Sequence, residues 1–551
     1  MREGESSVPV KPTKYIVVTG GVLSGLGKGI TTSSIGKLLK SRGLKLAAVK
    51  IDPYVNIDAG TMNPFEHGEV FVLDDGGEVD QDLGNYERFL DLPMGRANNI
   101  TTGKAYKAVI DRERRGDYLG KTVQIIPHVT NEIRDHIKRA AKAADADVCL
   151  VEVGGTVGDI ESAPFLEALR QLHLEVGHKN MMFVHTTLVP VMGAVGEQKT
   201  KPTQHSVMEM RRVGLHPDML VCRSETRLDP KVREKLANFC DVDKEAVISA
   251  PDARTIYEVP LLLEEQGVAD WIVKRLDLHP EGRDMGAWKT FVDRVVAPTH
   301  HVTIGVVGKY TDLADAYLSI KEAFVHAGAA QDTKVVVRWI DAEDVERATD
   351  PADILGSLDG VLVPGGFGPR GAEGKIAAIR FAREKKVPFL GICFGFQLAT
   401  AEYARHVLGL ADANSTEINP TTQHPVIDLL PGHTADEAKG ATMRLGASEV
   451  RLAHGSRVAQ LYHADVIYER HRHRWEVNPG YISKLEGAGL RYTGRDPSGE
   501  LMEMLELPDH PYFVASQFHP EFKSRPERPA PTFAGLVEAA RRRVEARHPK
   551  E

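Results

Sequence analysis

A chain of 551 residues is too long for one hydrophobic core, so two or more domains are expected. With 42% apolar and 26% charged residues the composition is that of an ordinary globular protein, and no apolar run reaches the length needed to span a membrane. The formal net charge of −8 argues against a general nucleic-acid binder, while leaving room for local basic pockets that take nucleotides.

The first residues, MREGESSVPVKPTK, are polar and lack the apolar middle of a signal peptide. Cys149, Cys222, Cys240 and Cys393 form no C-x-x-C pair, which suits reduced thiols, so a cytoplasmic location is expected. Tyr15 to Val18 reads as a buried strand. It breaks into a turn carrying Gly20, Gly21, Gly25, Gly27 and Gly29, with Lys28 before the last, and a helical pattern follows. Strand, glycine-rich loop, lysine and helix together cradle a polyphosphate: backbone N–H groups approach its oxygens, the helix N-terminus adds partial positive charge, and Lys28 adds a full one. The spacing departs from G-x-x-x-x-G-K-[ST]. Gly21 to Gly27 encloses one residue too many, and Gly29 replaces the hydroxyl that holds magnesium, so carboxylates elsewhere must hold the metal.

Leu46 to Ile51 reads as a second strand, and helices then alternate with short apolar runs, as in a doubly wound α/β domain. Asp52 to Asp91 reads as a long loop poor in helical periodicity. Phe65, Val70, Phe71 and Val72 favour an ordered segment over a solvated acidic one. Asp74, Asp75, Asp80 and Asp82 require a cation or basic partners. Val148 to Val153 is a buried strand ending near Glu152, a carboxylate at the ligand edge of an α/β sheet. With Asp82 it can hold magnesium, or it can simply form a turn. Lys199 to Gln204 (KTKPTQ) and Lys235 form a basic group that suits a second triphosphate pocket, or a solvated surface. The pattern loosens from Leu276 to Thr299, where a domain boundary is expected, and His301 to Val307 opens a new strand.

In the second half, GVLVPGGFGPRG runs from a strand into Pro364, Gly365 and Gly366. Val387 to Gln397 (VPFLGICFGFQ) is a strand followed by G-x-C-x-G, a nucleophile elbow with cysteine in place of serine. The helix behind it favours the thiolate through its N-terminal dipole, although a lone cysteine is also a common buried hydrophobe. His519 can serve as the base and Glu521 as its orienter. They are expected to point to the same side of an extended segment. His471 and His473, in ERHRHRWEV, are a conceivable but poorly supported zinc pair, because no cysteine or acidic ligand set accompanies them.

Together these motifs resemble the CTP synthase family. TGGVLSGLGKG, the DPYVNIDAG…LGNYERF segment, VEVGGTVGDIES and KTKPTQHS match the synthase half. PGGFGPRG, GICFGFQ, NSTE and QFHPEF match the class I glutamine amidotransferase fused to it. The resemblance implies an α/β fold of two doubly wound domains: an N-terminal P-loop-like synthase domain over 1–278, a linker over 279–300, and a C-terminal class I glutaminase domain over 301–551. It implies that ATP phosphorylates UTP and that ammonia from glutamine then displaces the phosphate to give CTP, with Mg2+, activation by GTP and inhibition by CTP. It also implies an internal ammonia passage and a homotetramer.

Residue by residue, the resemblance puts Gly25, Leu26, Gly27, Lys28, Gly29, Ile30, Asp82, Asp252 and Ala253 at ATP, with Lys28 and Lys50 stabilising phosphoryl transfer. Asp82 and Glu152 fall at the metal. Ser24, Asp159, Ile160, Glu161, Lys199, Thr200, Lys201, Pro202, Thr203, Gln204 and Lys235 fall at UTP and the overlapping CTP site. Cys393 is the nucleophile with His519 and Glu521. Gly366, Phe394, Gly395, Phe396, Gln397, Glu417 and Arg474 fall at glutamine, and His67 and Val70 at the ammonia passage. The alternatives are another two-part ATP-dependent amidotransferase, of the cobyric-acid synthase type, and a polymer with dead sites. The KTKPTQ pocket and acidic segment speak against the first, and the intact Cys393, His519, Glu521 and Lys28 against the second.

Overall fold

The computed structural model describes residues 12–63, 68–193, 196–309, 314–429 and 443–547. Backbone contacts divide the chain into two units. The first comprises the described residues up to Asp58 together with Asn85–Lys289; the second comprises Ala59–Gly84 and the chain from Thr290 onward. Both are α/β units, the first built on a parallel sheet and the second on a mixed one.

The sheet of the first unit contains β1 (Lys14–Gly20), β2 (Leu46–Asp52), β3 (Asn99–Thr101), β4 (Val148–Val153), β5 (Met181–Leu188), β6 (Met219–Ser224) and β7 (Val247–Pro251). All are parallel, in the order β7-β6-β5-β1-β4-β2-β3. Every residue of β1, β2 and β4 is buried. A parallel sheet covered on both faces is written as unbroken apolar runs, which is why these strands were legible. Each Val or Ile so buried contributes roughly 1.5–3 kcal/mol relative to exposure. β1 sits centrally, with Val18 paired to Glu152 on one side and Val184 on the other, so the glycine-rich loop leaves from the middle of the carboxyl edge.

The larger sheet of the second unit contains β8 (His300–Gly308), β9 (Thr333–Asp341), β10 (Gly360–Val363), β11 (Phe389–Ile392), β12 (Arg444–Leu452), β13 (Val466–His473), β14 (Arg491–Arg495), β15 (Met502–Glu506) and β16 (Phe513–Ser516). Their order is β9-β8-β10-β11-β16-β15-β14-β12-β13. The first five are parallel, and each later neighbour pairs antiparallel.

Two expectations change. Asp52 to Asp91 is not one long loop: it carries a small hairpin, Phe71–Val72 against Glu78–Val79, and a helix, Gln81–Leu90. The helix buries Leu83, Tyr86, Phe89 and Leu90, an apolar stripe at i, i+3, i+6 and i+7 that intervening polar residues and Gly84 disguise in the sequence. The loosened stretch from Leu276 to Thr299 contains the helix Gly286–Val296. Its Trp288 is buried and donates through Nε1 to the Tyr257 carbonyl at 2.8 Å.

Candidate active site

At the end of β1 the chain turns through Gly25 and Gly27, both left-handed (φ 77° and 85°), into α1 (Lys28–Lys40). Gly27 caps α1 with no side-chain hydrogen bond, so the first helical N–H groups face the loop. Ser24 and Gly25 are exposed, and Lys28 Nζ reaches across to the Gly155 carbonyl just beyond β4 (2.8 Å). Leu26 is buried under the turn, and Gly29 and Ile30 belong to the first turn of α1.

Glu152, at the carboxyl end of β4, is almost fully buried. It accepts from Lys50 Nζ at 2.9 Å and from the Tyr86 hydroxyl, and Lys50 also faces Asp52 at 3.7 Å. A buried charge holds its place only when paired in this way. Asp82 lies in the first turn of Gln81–Leu90. Both carboxylates are hard oxygen donors of the kind magnesium takes. Among the described residues no group of three or more His, Cys, Asp or Glu is placed to hold a metal ion.

His185 on β5 ties the next motif to this edge. Its Nδ1 lies 2.9 Å from Thr19 Oγ1 and its Nε2 2.6 Å from Ser206 Oγ, on α2 (Lys201–Arg212). A Cβ on Gly21 would stand 1.6 Å from Ser206 Oγ, so glycine is needed where the loop passes α2. Lys201, Pro202, Thr203 and Gln204 form the first turn of α2. Thr203 Oγ1 donates to the Leu188 carbonyl (3.0 Å), and Gln204 Nε2 to Thr200 Oγ1 (3.1 Å). Lys199 pairs with Glu197 at 2.6 Å. That hydrogen bond, then the charge of Lys199, holds the Glu197 carboxyl below its usual range, with a smaller pull from Lys235. Asp159 accepts from the N–H and hydroxyl of Thr156 (2.6 and 2.7 Å). Ile160, next to Glu161, is 88% exposed. Asp252, next to Ala253, pairs with Arg223 at 2.8 Å beyond β7.

The thiol site is built on β11, β16 and the helix α3 (Phe394–His406). Cys393 sits between β11 and α3 with φ 52° and ψ −102°, a strained conformation for a residue with a Cβ. The flanking glycines make the turn possible: a Cβ on Gly391 would lie 2.9 Å from the Gly395 carbonyl oxygen, and one on Gly395 would lie 2.1 Å from that of Val363. β11 and β16 are parallel neighbours, and the Cys393 N–H donates to the Ser516 carbonyl (2.7 Å). The thiol and QFHPEF therefore emerge side by side although far apart in sequence.

His519 Nδ1 lies 2.8 Å from Glu521 Oε1. The segment is not extended as expected: His519 caps a 3-10 turn, Pro520–Lys523, and that turn brings Glu521 back beneath the ring. Proline at its first position favours the turn. The ring also stacks on Phe522, with centroids 5.1 Å apart. Burial opposes charging the imidazole, but Glu521 and then Cys393 outweigh it and raise its pKa to about 10. A side chain on Gly365 would touch both partners, 3.0 Å from His519 Cε1 and 3.6 Å from Cys393 Cβ.

Cys393, His519 and Glu521 open onto a cavity of about 640 Å³ that Gly366, Glu417 and Arg474 also line. Glu417 Oε1 accepts from the Gly368 N–H (2.7 Å). Burial pushes its carboxyl up, while Gly368, Lys309 and Arg474 pull it down. Phe394, Gly395, Phe396 and Gln397 are buried in the first turn of α3. Gln397 Nε2 donates to the Trp475 carbonyl (2.9 Å), supporting the pocket from behind. Val70, Gly60 and Met62 line the same cavity, so the Ala59–Gly84 segment is part of its wall. His67, like Phe65, lies outside the described residues. Asp74 has the basic partner its charge requires, Arg470 at 2.6 Å, and Glu78 pairs with Arg472 at 2.8 Å. His471 and His473 are buried 3.1 Å apart, and burial, then Arg444, holds both well below the usual histidine range.

A family model described as the CTP synthase N-terminus matches residues 14–278, and one described as glutamine amidotransferase class-I matches residues 312–539. The CTP synthase of Thermococcus gammatolerans is 59% identical over 532 residues, covering 96% of this chain and 99% of that protein. The chain belongs to the CTP synthase family. The CTP synthase of Methanopyrus kandleri is equally similar, 59% identical over 529 residues with the same coverage. A solved structure of the Trypanosoma brucei CTPS glutaminase domain with bound acivicin aligns at 38% identity with a TM-score of 0.41, covering 43% of this chain and 93% of that one. As a family member the chain is an enzyme, a ligase that forms a C–N bond and makes CTP with glutamine as nitrogen source.

Sequence reasoning passed over four residues that the structure brings to these sites: Tyr86 on Glu152, His185 beside the glycine-rich loop, and Lys309 and Lys375 beneath the PGGFG loop. Lys375 alone carried a signal. It lies three residues after Ala372 and four before Ile379, a charge on an apolar helical stripe.

Proposed function

We propose that the enzyme phosphorylates the uracil O4 of UTP with ATP and then displaces that phosphate with ammonia. A carbonyl oxygen leaves poorly and a phosphate leaves well. Gly25 to Ile30 cradle the ATP phosphates, with Asp252 and Ala253 at the adenine. Lys28 and Lys50 stabilise charge on the transferring group. Ser24, Asp159 to Glu161, Lys199 to Gln204 and Lys235 hold UTP, and CTP competes there through the same triphosphate. Asp82 and Glu152 would hold Mg2+, which when bound neutralises phosphate charge.

In the other half, Cys393 attacks the glutamine amide, His519 carries the proton to the leaving ammonia, and Glu521 orients His519. The N–H groups of Gly366 and Phe394 receive the oxyanion, and Glu417 and Arg474 hold the amino and carboxylate ends of glutamine. Ammonia released into water would be protonated and lost as a nucleophile, so it travels inside the protein, past Val70. The synthase domain spans 1–278, the linker 279–300 and the glutaminase domain 301–551. GTP activates the enzyme, and it works in the cytoplasm as a homotetramer; the exposed Ile160, Leu119 and Val55 are surface that such an assembly would cover.

The observation that supports this reading most is the strained Cys393 elbow opening, with the His519–Glu521 pair, onto a cavity that Glu417 and Arg474 share. The test follows UTP conversion to CTP with glutamine or ammonium as nitrogen source, with and without GTP. Both sources should support ATP-dependent synthesis, and only the glutamine reaction should respond strongly to GTP. Failure to form CTP from either source would refute the reading.

A further inference from the structure

Lys375 is completely buried, at the fourth position of the helix Ala372–Glu384. The site is hostile to a cation. Water is excluded, the positive end of the helix is close, and a second ammonium shares the same aromatic neighbour. Lys375 Nζ lies 5.2 Å and Lys309 Nζ 5.3 Å from the centroid of the Phe394 ring. A methionine would fill the same space at none of these costs. A residue that lowers stability where an apolar one would fit points to a functional demand.

The contacts say what that demand is. Lys375 Nζ donates to the Pro364 carbonyl at 3.3 Å, and a Cβ on Gly366 would lie 3.5 Å from it. Lys309 Nζ donates to the carbonyls of Phe367 and Gly368 at 2.7 and 2.8 Å. Two ammoniums thus hold three carbonyls of the PGGFG loop from one side. In a trans peptide the N–H points opposite to its C=O, so the Gly365 N–H faces away from Lys375. Gly365 packs against Cys393 and His519. The charged groups acting on Lys375 are Lys309 and Cys393, and Lys309 in turn faces Glu417, Arg370 and Glu343.

We propose that Lys375 is a positioning residue of the glutaminase centre: its ammonium fixes the Pro364–Gly366 loop from behind and supplies the positive charge that favours negative charge on Cys393 and on the oxyanion. The proposal rests on Cys393 being the nucleophile. Lys375 makes and breaks no bond and passes no proton to the substrate; it acts through the loop and the Phe394 ring. Burial, then Lys309, brings its pKa down to about 7, with Cys393 pulling the other way, so negative charge on the sulfur draws the ammonium into its protonated form.

The test is Lys375→Met in the full-length enzyme, with Lys375→Gln as the second neutral variant. Four readouts are compared with the parent: glutaminase kcat and KM, ammonia-dependent CTP synthesis, melting temperature, and the pH dependence of Cys393 alkylation by iodoacetamide. Alkylation is followed by peptide mass spectrometry, and the other three thiols, fully buried, serve as silent controls. Glutaminase kcat should fall about tenfold or more, with KM and the ammonia reaction within about twofold. Alkylation of Cys393 at neutral pH should slow by about tenfold, and the melting temperature should hold or rise. Unchanged kcat and alkylation would overturn the proposal. So would a uniform loss of both activities with a lower melting temperature, or failure of both variants to fold, since either result makes Lys375 merely structural. Cys393→Ala is run alongside: if that variant still hydrolyses glutamine, the nucleophile assignment fails, whatever Lys375 does.

Discussion

The carboxyl edges of the two sheets are finished to different degrees. At the thiol site Cys393, His519 and Glu521 are 2%, 8% and 3% exposed, the His519–Glu521 hydrogen bond is in place, and the loop above is tied down by Lys309 and Lys375. At the glycine-rich loop of the first unit, Val22, Leu23, Ser24 and Gly25 are exposed, as are Lys201 and Lys235. The difference follows the chemistry. Acyl transfer to a thiol depends on charges fixed in a dry site before the substrate arrives. On the proposed reading a triphosphate would bring its own charge to the glycine-rich loop, and a solvated loop suits that.

The contrast can be broken most sharply at Cys393. Cys393→Ala should lower glutamine-dependent CTP formation by about 10³-fold or more and leave ammonia-dependent synthesis at the parental rate. Loss of both would mean the two sites do not divide the labour in this way. Lys28→Ala is the mirror experiment. It should lower synthesis from either nitrogen source by about 10²–10³-fold, while glutamine hydrolysis measured alone persists.

A second variant at the thiol site tests the claim that it is preorganised. Glu521→Gln should lower glutaminase kcat roughly 10²–10⁴-fold by releasing His519 from its orienter. His519 is raised to about 10 in the folded protein, above its unfolded value of about 6.5. Its contribution to stability is therefore complete below about pH 6.5 and is lost as the pH climbs toward 10. The melting temperature of the parent should fall more steeply between pH 7 and pH 10 than that of Glu521→Gln, and parallel curves would contradict this.

The smallest change expected is at Asp74. Burial pushes its carboxyl up, but Arg470 overrides that and holds it below the usual range, so the pair stabilises above the unfolded carboxylate pKa and weakens as the pH falls through it. The Asp74 side chain is 37% exposed, so solvent screening limits the pair to about 1 kcal/mol or less. Asp74→Asn should lower the melting temperature only slightly, with a modest rise in KM for glutamine because Ala59–Gly84 walls the cavity.

The sequence by itself determined the local chemistry. Unbroken apolar runs announced buried parallel strands, glycines flanking Lys28 and Cys393 announced tight strand-to-helix turns, and the order of motifs announced the family. The strand and turn signals each lie within a few neighbouring residues, where backbone sterics and burial leave few options. Tertiary structure decided the rest. Helix Gln81–Leu90 follows from a face buried by distant parts of the chain. His519 meets Cys393 because β16 pairs with β11, and Glu521 reaches His519 through a 3-10 turn rather than an extended strand. Ala59–Gly84 joins the wall of the thiol cavity, and Lys375 becomes a buried cation beneath the PGGFG loop, because packing, and not sequence spacing, sets which charges lose water and which partners they must then find.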